Sequence, residues 1–133
     1  MQESNFENFN HLKIHSQFSI CEGAIKLDDL KDISKENKLK AIGLCDTSNL
    51  CGALEFAEKL SKSGSQPIIG TQINFKFNNI LGLLPLFALD ENGYKTIIKL
   101  QKLYGHLVTC DCFVCLLCGF RFRGSPTFCV LLS

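Results

Sequence analysis

From His11 to Tyr104 the sequence switches back and forth between a two-residue and a three-to-four-residue hydrophobic period, and this alternation limits the chain to one class of fold. Residues 11–18 (HLKIHSQF) alternate as a short strand does, and Glu22-Gly23 marks a turn. Leu27, Leu30 and Ile33 set a helical stripe across residues 26–37. The apolar run at 40–45 (KAIGLC) ends at Asp46 and suits a buried strand. Leu50, Ala53, Leu54, Ala57 and Leu60 then share one helical face, with Asn49 as N-cap and Gly64 as stop. Glu55–Lys59 and Glu58–Lys62 stand at i,i+4 on the same helix, in the favourable order. Residues 66–75 (QPIIGTQINF) form a third strand with Pro67 at its entrance. The apolar stretch 80–89 is a weaker strand because it contains Pro85. Residues 91–104 read as a helix capped by Asp90, with Tyr94, Ile97 and Ile98 inward.

The order β-α-β-α-β-β-α predicts a parallel α/β sheet or barrel. In such folds the functional residues gather at the C-terminal ends of the strands. Here those ends carry His15-Ser16, Asp46–Asn49 and Thr71-Gln72. A hydrophobic fraction of 46% supplies a core, and a formal charge of +1 argues against a polybasic surface as the main feature. The near-neutral charge lends no support of its own to DNA contact. The polar start, Met1 to Asn10, has no secretory pattern. Leu107 to Phe120 is too short, and is interrupted by Asp111, for a membrane span. Cys21, Cys45 and Cys51 are scattered as reduced thiols of a cytoplasmic protein would be.

The composition breaks near Gly105. Every lysine, from Lys13 to Lys102, lies before it, and both arginines, Arg121 and Arg123, lie after it. Five of the eight cysteines, Cys110, Cys112, Cys115, Cys118 and Cys129, also lie after it. The expected organisation is a polar lead at 1–10, an α/β segment at 11–104 and an apolar, Cys-rich tail at 105–133. The first four tail cysteines invite a zinc reading, but they are interleaved with Phe113, Val114, Leu116 and Leu117 and lack the loop between paired knuckles that structural zinc sites use. A buried apolar segment is a second reading. The switch from Lys to Arg favours a third, a non-native continuation such as a frameshift, with no function assigned.

Two constellations stand out before residue 105. His11 and His15 are four apart on a strand, so alternation places them on one face with Lys13, as a metal or phosphate site or as ordinary polar strand residues. Asp46-Thr47-Ser48-Asn49 follows a strand and precedes a helix. It places a carboxylate at the site edge, although turn and cap chemistry selects the same four residue types and spacing alone favours that reading.

Four blocks in order, HLKIHSQFSICEGA (11–24), AIGLCDTSNLCGALEF (41–56), QPIIGTQINF (66–75) and LFALDENGYKTIIKL (86–100), resemble the N-terminal PHP (polymerase and histidinol phosphatase) domain of bacterial DNA polymerase III alpha subunits. The resemblance covers about residues 9–104. It implies the first part of a PHP-type (β/α) barrel, left incomplete at this length, with an open edge and marginal stability alone. It also implies a remnant of the family's metal site at Lys13, His15, Glu22, Asp46, Thr47 and Gln72. Metal-competent members carry a His-x-His pair where this chain has Lys13 and His15. Their acidic turn ligand falls on Glu22, a His after the block-two Asp on Thr47, a Glu on Gln72 and a further His on Leu83. Only His15 and Glu22 remain as metal candidates, and Lys13 is expected to fill the vacated position and pair with Glu22.

The resemblance therefore implies a degenerate site without catalytic residues or a resident cofactor. The parent reaction is template-directed DNA synthesis, a nucleotidyl transfer whose Mg2+ belongs to palm carboxylates far downstream. Family members with intact sites trim 3′ ends, whereas those with degraded sites rely on a separate proofreading exonuclease that docks on this domain. The implied partners are that exonuclease subunit and the rest of the polymerase. DNA is met only through other domains, and no membrane is involved. The rival readings are a protein-binding module for the exonuclease and a stand-alone PHP metal-dependent phosphoesterase. Lys13, Thr47 and Gln72 argue against the latter.

Overall fold

Parallel strands cannot be joined by a tight turn, so each needs a crossover, and the chain supplies a helix for it. The computed structural model describes residues 9–77, 80–104, 108–109 and 130–132. Strand β1 (His11–Ile14) leads to helix α1 (Leu27–Glu36), β2 (Ala41–Thr47), α2 (Ala53–Ser63) and β3 (Gln66–Phe77). Then come β4 (Ile80–Ala88), α3 (Glu91–Tyr104) and two short strands, β5 (Val108–Thr109) and β6 (Val130–Leu132). The strand order is β1-β2-β3-β4-β6, with β5 against β3. Strands β1 to β4 form a curled sheet, the half-barrel expected of part of a PHP barrel. Two short strands from the expected tail thus join the sheet by their backbones. The rest of the tail, including Cys110, Cys112, Cys115, Cys118 and Cys129, lies outside the described residues, as do residues 1–8 of the lead.

The register fixes two faces. Residues paired across strands share a face, and β2 pairs with β3 as Ile42↔Pro67, Leu44↔Ile69 and Thr47↔Gln72. Ile42 and Leu44 pack with Leu27 and Leu30 of α1 and Phe56 and Leu60 of α2. On the same face Ile73, Leu84 and Leu86 pack with Ile97 and Leu100 of α3. All three helices therefore cover one face. The other, concave face carries Gly43, Cys45 and Thr47 of β2 and Gly70 and Gln72 of β3.

Several sequence expectations are corrected. Strands β3 and β4 pair antiparallel, Gly70 opposite Phe87, because the two residues between them leave no length for a crossover. On α2 the buried residues are Ala53, Phe56 and Leu60, while Leu54 is 74% exposed. Burying Phe56 removes more apolar area and rotates Leu54 outward. On α1 Ser34 is buried and Ile33 exposed, since Ser34 meets Ser65 through a hydroxyl pair and Ser65 donates to the Leu39 carbonyl at 2.6 Å. On α3 Ile97 is buried and Ile98 exposed. Asn49 does not cap α2, whose N-cap is Gly52. Asp90 does cap α3, accepting from the Gly93 N–H at 2.7 Å, and Gly64 ends α2 at φ +86° as expected.

Strand β1 is bulged. His11 pairs with Ile42 and Ile14 with Leu44, so three steps on β1 match two on β2. Gly43 permits this, because a Cβ there would collide with the Leu12 carbonyl oxygen and lie 2.7 Å from its Cα. The bulge separates the two histidines. His11 falls in register with core-side Ile42 and stacks edge-on against Phe9 at 4.7 Å, whereas His15 turns to the concave side. The expectation of one shared face fails because the two-residue period is broken between them.

Helices α1 and α2 are clamped by Lys59, which meets Asp28 at 2.6 Å and Glu55 at 2.7 Å. The Lys59 hydrogen bond holds the Asp28 carboxyl below its usual range, and the bonds from Asp28 and Glu55 raise the Lys59 ammonium above its own. A depressed acid stabilises the fold above the ordinary aspartate range and loses this as pH falls through its folded value. A raised base stabilises below the ordinary lysine range and loses this as pH rises through its folded value. The clamp is therefore whole across the neutral range. Lys59→Met is expected to lower the melting temperature by roughly a few degrees and to remove part of its salt sensitivity. Thermal melts at low and high salt check this.

Candidate functional site

Asp46, at the C-terminal end of β2, is 1% exposed, and no cation neutralises it among the described residues. Its charge is met by hydrogen bonds instead. The Ser16 N–H donates to Oδ1 at 2.6 Å, the Ser16 hydroxyl to Oδ2 at 2.7 Å and the Ser19 hydroxyl to Oδ1 at 2.7 Å. Each hydroxyl also accepts a backbone N–H: Phe18 donates to Ser16 Oγ at 3.2 Å and Thr47 to Ser19 Oγ at 3.1 Å. These donor–acceptor chains reinforce one another in a low-dielectric setting. They fasten the loop after β1 onto the end of β2. Asn49 adds two bonds from its amide, to the carbonyls of Phe18 at 3.1 Å and Thr47 at 3.0 Å.

The fastened loop brings Glu22 back over the sheet edge. Cys21, just before it, has φ +65°, and Ser48, just after Thr47, has φ +54°. Both are left-handed conformations that non-glycine residues adopt only where the surroundings hold them. Glu22 Oε2 accepts the Thr47 hydroxyl proton and lies 4.0 Å from His15 Nδ1. Gln72, 2% exposed, donates its amide to Thr47 Oγ1 at 3.5 Å, and the Ser48 N–H donates to the Gln72 carbonyl at 2.7 Å. His15, Glu22, Thr47 and Gln72 thus meet at the mouth of the concave face. Two buried atoms there have no partner, His15 Nδ1 and Gln72 Oε1.

Of the residues singled out in the sequence, these four come together, with Asp46 supporting them from the helix-side face. Lys13 is exposed on β1 and makes no ion pair among the described residues. Its expected pairing with Glu22 is replaced by Thr47 and His15. Leu83 stands half exposed on β4 and, being aliphatic, cannot ligate. Sequence reasoning placed Thr71 with Gln72 at the site edge but missed Ser19 and Gln101. Thr71 donates to the Asp46 carbonyl at 2.8 Å and accepts from the Gln101 amide at 3.0 Å. Ser19 was legible only as a small polar residue before a turn, and Gln101 carried no signal.

The donor set does not suit a multinuclear metal centre. Among the described residues no three His, Cys, Asp or Glu side chains converge on one point. Thr47 and Gln72 are neutral oxygen donors, and the Thr47 hydroxyl already serves Glu22. A hydrolytic site needs ligands that hold the ion and leave a position open for water, which His15 and Glu22 alone do not supply.

The family model for the PHP domain matches residues 11–109. Among curated proteins, a DNA polymerase III subunit alpha of Rickettsia felis is 41% identical over 96 residues, covering 71% of this chain and 8% of that protein. The subunit of the same name from Aquifex aeolicus is 35% identical over 116 residues (73% and 10%), and that of Buchnera aphidicola subsp. Schizaphis graminum is 37% identical over 114 residues (83% and 10%). The chain thus spans 8–10% of the length of these relatives.

Removing the buried carboxylate leaves three donors without an acceptor. Asp46→Ala is expected to lower stability by about 3 kcal/mol, against about 1 kcal/mol for Ser19→Ala. Urea denaturation followed by far-UV circular dichroism checks the ranking.

Proposed function

The chain belongs to the PHP domain family, and from that premise we propose that it is the N-terminal PHP segment of a DNA polymerase III alpha subunit, acting there as a non-catalytic scaffold. The Thr47–Glu22 hydrogen bond carries this reading: the carboxylate retained at the site is engaged by a hydroxyl where a metal-dependent enzyme needs it for an ion. In this reading residues 11–104 are the PHP segment and Lys13, His15, Glu22, Asp46, Thr47 and Gln72 its remnant site. Template-directed DNA synthesis, its Mg2+ and its contacts with DNA belong to the rest of the polymerase. The compartment implied is the cytoplasm. Among the described residues no helix is long and apolar enough to cross a membrane.

A second reading, a docking surface for a proofreading exonuclease subunit, is favoured by two apolar side chains beside the site. Ile20, in the loop after β1 two residues before Glu22, is 86% exposed, and Leu54, in the first turn of α2, is 74% exposed. The third reading, a stand-alone phosphoesterase, is disfavoured by Thr47 and Gln72.

Metal analysis and a phosphoesterase assay test the scaffold reading. The purified chain is expected to hold well under one equivalent of zinc or manganese and to show no manganese-stimulated turnover. Stoichiometric metal with stimulated turnover would overturn it. For the docking reading, Ile20→Ser with Leu54→Ser is expected to weaken binding of the recombinant exonuclease subunit at least tenfold by calorimetry, and unchanged binding would exclude this surface.

A further inference from the structure

The outward faces of the first and last helices carry opposite charge. On α1, Ile33 is 39% exposed, with Asp29 and Glu36 one turn before and after it and Asp32 beside it. On α3, Ile98 is 42% exposed, with Lys95 and Lys102 one turn before and after it and Lys99 beside it. Among the described residues Asp29, Asp32, Glu36, Lys99 and Lys102 form no ion pair, and Lys95 pairs only with Glu91 of its own helix, at 2.6 Å. Each strip is thus an exposed apolar side chain flanked by charge of one sign.

Both strips lie at the free flanks of the helix layer. Helix α1 shares a cluster with β1 and β2, whereas α3 packs on β3 and β4. Lys59 of α2 holds Asp28 on the inner flank of α1, and Ile33, five residues on, stands about 140° round the helix from it. On α3, Gln101 donates to Thr71 Oγ1, and Thr71 donates to the Asn49 carbonyl just before α2. Lys99 stands about 160° round the helix from Gln101. The sheet beneath is open as well. Among the described residues β1 pairs with β2 alone, which leaves its outer edge unpaired, and Leu81 and Leu83 of β4 are exposed on the concave face.

We propose that this chain docks on a second copy of itself, α1 of each copy against α3 of the other. Around a two-fold axis the two contacts are equivalent. Asp29, Asp32 and Glu36 of one copy then face Lys95, Lys99 and Lys102 of the other, and Ile33 meets Ile98. The helix layer of one copy continues into that of the next, and the two open half-barrels face each other. Exposed ion pairs contribute little each and are screened by salt, so the dimer is weak and salt-sensitive. Neither strip includes a residue of the site, so the dimer and the scaffold reading fail separately.

Sedimentation equilibrium of the full chain tests this. At low ionic strength the mass is expected to rise with concentration from 14.8 kDa toward twice that value. Raising sodium chloride from about 0.05 M to about 0.5 M should weaken the dimer at least tenfold. Asp32→Lys with Glu36→Lys, and separately Lys99→Glu with Lys102→Glu, should each abolish dimers, and mixing the two variants should restore them. In a mixture of isotope-labelled and unlabelled wild type, carbodiimide should join Lys99 or Lys102 of one copy to Asp32 or Glu36 of the other. A monomer at every concentration, variants that still dimerise alone, or a mixture no better than either variant would each overturn the proposal. So would a dimer that salt leaves unchanged or strengthens, the mark of association through Leu81 and Leu83. Should a variant fail to fold, the salt series and the cross-links on the wild type decide.

Discussion

A buried carboxylate without a cation is among the more expensive features a small core can contain. Among the described residues no cation meets Asp46, and the loop after β1 solvates it instead. Two serines and a backbone N–H from residues 16–19 form its hydration shell. Those residues belong to a loop that also bonds to itself, the Gly23 N–H donating to the Ser19 carbonyl at 2.9 Å and the Gln17 N–H to the Ile25 carbonyl at 2.9 Å. Asp46 adds the bonds that fasten this loop to β2. Glu22 and His15 then take set positions relative to Thr47, and Asn49 locks the next loop against Phe18. The carboxylate's desolvation is offset by bonds that order two loops, so one side chain in β2 joins with the loops' own backbone bonds in setting their positions.

The sheet divides its labour by face. The helix side carries nearly all the apolar packing, in two clusters that together involve every helix. The concave side carries small residues deep on β2 and β3 and polar ones at the mouth. The bulge at Leu12–Lys13 belongs to this division. Without it, strict alternation would turn His11 and His15 the same way, and one of them would leave its present environment. Gly43 accommodates the bulge by giving up its side chain where β1 crosses closest. A glycine inside an otherwise apolar strand is thus explained by the neighbouring strand's irregularity, and through it by the placing of His15.

What could be read from the sequence follows from range. The order of elements was legible because each strand and helix announces itself within about ten residues, and Asp90 and Gly64 act on their nearest neighbours. The strand-end positions of His15 and Asp46 followed from that order, whereas Gln72 lies within β3, which runs on to Phe77, and reaches the site by standing opposite Thr47. Errors came where a distant contact decides. Phe56 displaces Leu54 from the buried face because α2 meets α1 and β2 there. Ser34 is buried because Ser65 answers it from the next loop. The antiparallel β3–β4 pair was open to inference from the two-residue link, but the strand alternation drew the reading toward a parallel sheet. Gln101 reaches Thr71 across thirty residues, and no local pattern encodes that. The assignment of Glu22, Thr47 and Gln72 to one site came from a resemblance to a family, and the fold brings the three together independently of it.

Inward-facing polar groups at a strand edge need partners, and those at the mouth of this sheet supply some of them to one another. The Gln72 amide donates a hydrogen bond to Thr47 Oγ1, and the Thr47 hydroxyl donates one to Glu22 Oε2. The run still leaves His15 Nδ1 and Gln72 Oε1 without a hydrogen-bond partner among the described residues. The hydrogen-bond run from Gln72 to Glu22 ties β3 to the loop that Asp46 also holds. These residues have a mechanical part to play whatever else they do: without them the edge of the half-barrel would lose contacts that make two loops part of the fold.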